Sequence, residues 1–91
     1  MKTNERRKQI TEMLEGIDDG DTAFLFDGLD DAILGFERGE AGPRVVYCRE
    51  KCIRCFMKMN RWDRETAEEW FEFNTSSVYA GPQTPIFIES L

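Results

Sequence analysis

The spacing of apolar and polar positions changes period twice along the chain. Ile10, Met13, Leu14 and Ile17 recur at i, i+3, i+4 and i+7 among charged and amide residues. That stripe predicts a helix over residues 3–15, ended by Gly16 and the run Asp18-Asp19-Gly20-Asp21. Shorter apolar segments follow, each bounded by turn residues. Residues 23–26 (AFLF), 31–37 (DAILGFE) and 44–47 (RVVY) predict three strands. Asp27-Gly28 is a tight-turn pair, Gly35 marks a bulge, and residues 38–43 (RGEAGP) read as a flexible loop.

From about Arg49 the helical period returns. Cys48, Cys52, Cys55 and Met59 share a face with Ile53 and Phe56 beside it. Asn60-Arg61-Trp62 is a connector. Asp63 or Thr66 caps another helix, and Thr66 with Glu69 three residues on has the form of a capping box. Ala67, Trp70, Phe71 and Asn74 are its expected inner face, with Trp70 a core residue and Phe73 off that face. Gly81-Pro82 blocks continuation, and residues 85–88 (PIFI) predict a last strand that begins at a sheet edge.

The order α-β-β-β-α-α-β needs helices to cover one face of a sheet. The expectation is a small two-layer α+β domain with an antiparallel sheet of three to four strands. Its 91 residues make one domain, with the helix of residues 1–17 at the periphery and an α+β core over 23–89.

Charge alters this picture more than composition does. With 18 acids, 12 bases and no histidine, the chain carries a net charge of −6. The charge alternates in blocks: positive over 1–11, strongly negative over 12–40, positive over 41–64 and negative over 65–91. Direct capture of a nucleic-acid backbone needs the opposite overall sign. The absent histidine removes the commonest general base and metal ligand. There is no apolar run of membrane-span length, no secretory h-region, and an odd number of cysteines, which together point to a soluble protein with reduced thiols in the cytoplasm.

Three groups invite a chemical reading. Cys48-x3-Cys52-x2-Cys55 has the spacing of a [4Fe–4S] cluster motif, but i, i+4 and i+7 is also a helix core face, and zinc would lack a fourth ligand. The favoured reading is core cysteines with no metal and no cofactor. Asp19-x-Asp21 runs on to Ala23 and so departs from a calcium-binding loop. Glu68, Glu69 and Glu72 suit the exposed side of a helix and its dipole. No catalytic motif stands out, so the chain reads as a binding protein and not an enzyme. The expected binding residues are an acidic face of Asp18, Asp19, Asp21, Asp27, Asp30 and Asp31. Phe73 and Tyr79 form a secondary aromatic site.

Asp30-Asp31-Ala32-Ile33-Leu34-Gly35, Lys51-Cys52 through Phe56-Met57-Lys58, Glu72-Phe73-Asn74, Tyr79-x-Gly81 and Thr84-Pro85-Ile86-Phe87 together carry a resemblance. Over about residues 23–88 the chain resembles a group of short, functionally uncharacterised bacteriophage-encoded proteins, which do not share the three-cysteine spacing. The resemblance implies a phage accessory protein acting in the host cytoplasm. By analogy with small acidic phage proteins, it would bind a host or phage protein, such as a nucleic-acid-processing or anti-phage defence enzyme, and inhibit it, in some cases as a DNA mimic. The partner would present a basic surface, with no direct nucleic-acid binding and no membrane. The alternatives are a small metal or Fe–S protein using the cysteines, or a self-assembling structural module, and homo-oligomerisation stays open.

Overall fold

The computed structural model describes residues 2–16, 23–40, 42–79 and 81–90. Helix α1 (Lys2–Glu15) leads to a 3₁₀ turn (Asp30–Ala32). Strands β1 (Ile33–Gly39) and β2 (Gly42–Cys48) then form a hairpin. Helices α2 (Arg49–Asn60) and α3 (Arg64–Asn74) follow, and β3 (Ile86–Ile88) ends the order. Among the described residues, three helices and a three-stranded sheet make the expected α+β domain, and these elements follow in the order that the hydrophobic pattern predicts.

The sheet order is β1-β2-β3. β1 pairs antiparallel with β2, with a register shift between Ile33 and Gly35, the bulge expected at this glycine. β3 pairs parallel to β2, so the sheet is mixed and not wholly antiparallel. The cause is the connection: two helices intervene between β2 and β3, and such a crossover returns the chain to run in the same direction. Of the expected flexible loop over 38–43, the ends are paired strand, since the ladder continues through Arg38↔Pro43 to Gly39↔Gly42; residue 41 lies outside the described residues.

Residues 23–26 do not join the sheet. Phe26 instead packs its ring on Tyr47 and Phe87, with centroids 5.8 and 5.9 Å away. The backbone N–H of Phe26 donates to the Tyr47 hydroxyl at 2.9 Å. Side-chain packing and one side-chain hydrogen bond thus replace a strand ladder. Phe87 also stacks on Tyr47 and meets Phe71 edge-on. The core joins this aromatic group to Leu29, Ala32, Val45, Cys52, Ile53, Phe56 and Ala67. Ile10 and Leu14 of α1 close it from the N-terminal side, whereas Met13, expected on the same stripe, is 54% exposed. Ile17 lies outside the described residues.

Burial holds both the Tyr47 hydroxyl and the Cys52 thiol protonated, pushing each up to about 12. A raised folded value means stability that is full below the unfolded value and is lost as pH rises through the folded one. Stability should therefore fall from about pH 9–10 upward, as tyrosine and cysteine ionise in the unfolded chain. Chemical denaturation midpoints between pH 8 and 11.5 check this; a flat profile would contradict it.

Candidate functional site

Helix α3 starts where the Asp63 carboxylate accepts the Thr66 backbone N–H at 2.9 Å. That bond holds the Asp63 carboxyl below its usual range. Asp63 is the cap, and the Thr66–Glu69 capping box does not supply it. The buried residues Ala67, Phe71 and Thr75 recur every fourth position and define the inner face. A face centred on them turns Trp70 outward, 45% exposed, and Asn74 is exposed too. The expected core position of Trp70 is therefore wrong. One turn further, Phe73 is 76% exposed, and Tyr79 beyond the helix is 82% exposed. Trp62 packs its ring on Trp70 at 5.4 Å and backs it from the connector.

Acids line this outward face. Of the four glutamates of α3, two are engaged with arginines. Glu68 accepts from Arg64 at 3.1 Å, and Glu72 from Arg49 at 2.9 Å. Arg64 also grips Glu50 through two nitrogens, at 2.8 and 2.6 Å, and Arg54 adds a third bond. Those contacts hold the Glu50 carboxyl down to about 2. Among the described residues, Glu65 and Glu69 have no ion-pair partner. Helical spacing puts Glu65, Glu69 and Phe73 in one i, i+4 row, with Trp70 three residues before Phe73. The result is two exposed aromatic rings bordered by two uncompensated carboxylates.

The expected acidic face is divided by the fold. Asp18, Asp19 and Asp21 lie outside the described residues. Asp27 and Asp31 are exposed. Asp30 is buried, at 4% exposure, and cannot stand on an outer face. Its two carboxylate oxygens take Arg7 Nε at 3.1 and 2.9 Å, and one also takes Arg7 Nη2 at 2.8 Å. The same nitrogen donates to the Phe26 carbonyl and lies 3.9 Å from Asp27. Arg7 of α1 is thus the clamp that fastens this helix to the 3₁₀ turn.

Cys48 and Cys52 are buried, Cys52 among the core residues, and Cys55 is half-buried. Burial pushes the Cys55 thiol up, as the nearby Asp31 does to a lesser degree. Among the described residues, no group of three or more cysteine, aspartate or glutamate side chains is arranged to hold a metal ion. Cys55 sits between Lys51, Arg54 and Lys58 on the outer side of α2, in a shallow depression that Asp31 also lines. This basic stripe accounts for much of the positive block over 41–64. No helix among the described residues is long and apolar enough to cross a membrane.

Compared with protein-family models, curated proteins and solved structures, the chain matches none.

Proposed function

We propose that this protein is a non-enzymatic binding module that docks through the outer face of α3 on a protein with a basic surface. The observation that carries this is the exposure of Trp70 and Phe73 beside Glu65 and Glu69. Solvent-exposed aromatics on a rigid helix supply large contact area at little ordering cost, and tryptophan is enriched among residues that dominate interface energy. Unpaired carboxylates at their edge select a cationic partner and speed its approach. Enzymes that handle nucleic acid carry such cationic surfaces. The resemblance to phage proteins agrees with a target of that kind in the host cytoplasm and with an inhibitory role. Asp27 lies beside Arg7 and Asp31 beside the Lys51, Arg54 and Lys58 stripe, so both are secondary to α3.

Affinity capture from host lysate, with wild type beside Phe73→Ala and Lys51→Ala, tests this reading. The partner retained by wild type should be lost about tenfold or more with Phe73→Ala and kept with Lys51→Ala. Its retention should also weaken as salt rises from 0.1 to 1 M, the range over which the screening length falls from about 10 to about 3 Å. Equal retention by Phe73→Ala, or loss confined to Lys51→Ala, would move the interface off α3.

A further inference from the structure

The inner side of α3 already contains a worked example of cation recognition. The Arg49 guanidinium lies over the Phe71 ring, 5.5 Å from its centroid. The same guanidinium donates to Glu72, the next residue in the helix, at 2.9 Å. The hydrogen bond to Glu72 is the main reason that Arg49 is held in its charged form more strongly than usual. Ring face and carboxylate act together, one on the flat surface of the guanidinium and one on its edge. The outer side repeats these components: the Phe73 and Trp70 rings, with Glu69 four residues before Phe73 and Glu65 one turn earlier. Here the rings are exposed and, among the described residues, neither glutamate has a cation of its own.

We infer that the outer face of α3 is an arginine seat, in which a partner's guanidinium stacks on Phe73, beside Trp70, while Glu69 and Glu65 take its N–H groups. The inference rests on the α3 docking face proposed above and names the chemistry that face reads. A planar, weakly hydrated guanidinium can lie on a ring and still donate edge-on to a carboxylate; a lysine ammonium makes a point contact and keeps its water. A second copy of this chain paired α3 to α3 is a poorer occupant. A two-fold interface sets the same patch against itself, so it would bring together four glutamates, Glu65 and Glu69 of each copy, with no cation in the patch to meet them.

Polyarginine and polylysine peptides of equal length are the probes, titrated into the full chain with backbone amide NMR and tryptophan fluorescence as readouts. The expected result is about two- to fivefold tighter binding of polyarginine, with the largest amide shifts at Trp70 and Phe73. Phe73→Ala should abolish the preference, and Phe73→Tyr, which keeps a ring, should retain it. Equal affinities for the two peptides, with shifts still centred on α3, would overturn the arginine seat and leave the docking face standing. Shifts centred elsewhere, together with unchanged binding by Phe73→Ala, would overturn both.

Discussion

Phe71→Ala should destabilise the domain by about 3–5 kcal/mol, and Trp70→Ala by less than about 1 kcal/mol. The two residues are adjacent and of similar chemistry, so the contrast isolates the helix face. Phe71 is 1% exposed. Its ring meets Phe87 edge-on at 5.1 Å and lies under the Arg49 guanidinium. Truncation leaves a cavity where α3 meets the sheet and strips Arg49 of its ring partner. Trp70 is 45% exposed, and the main aromatic contact it gives up is with Trp62. Thermal melts of the two variants check this. For a domain of this length the Phe71 variant should melt some 12 °C or more below wild type. Equal shifts would mean that Trp70 carries core packing and would remove it from the docking face.

Asp30→Ala should cost about 2–3 kcal/mol, whereas Asp27→Ala should cost less than about 0.5 kcal/mol. Removing one partner of a buried ion pair strands the other charge. The Arg7 side chain keeps 35% of its exposure, so water softens the loss below that of a fully enclosed pair. Asp27 is fully exposed and 3.9 Å from Arg7, a contact of the kind that contributes little. The expected difference is a melting point about 10–20 °C lower for the Asp30 variant. Hydrogen exchange should show α1 opening ahead of the rest of the domain. Matching stabilities for the two variants would mean that Arg7 does not clamp α1. The same burial makes Asp30 unsuitable for probing an acidic docking surface, because its substitution acts through stability first.

The helices of residues 49–60 and 64–74, the hairpin strands, the Gly35 bulge and the terminal strand were all legible in the sequence. Each is a local matter of apolar period, a capping aspartate or a glycine at the right offset. Phe73 could be separated from the core for the same reason. Trp70 could not, because a helix wheel leaves two neighbouring alignments open, one through 67, 70 and 74 and one through 67, 71 and 75. The choice between them depends on where Phe87 and Arg49 sit, and those residues come from β3 and α2. Residues 23–26 have strand composition, yet Phe26 is held by the Tyr47 and Phe87 rings and the Tyr47 hydroxyl and not by a strand ladder.

Charge shows the division most clearly. The net charge and its block pattern follow from composition and order alone. Which acids remain unneutralised does not. Arg7 reaches Asp30 and Arg49 reaches Glu72, each across 23 positions of chain. Spacing along a sequence reports which residues share a face of one element. Which charges meet across elements is settled by packing, because a carboxylate that folding buries must find its cation wherever the fold brings one within reach.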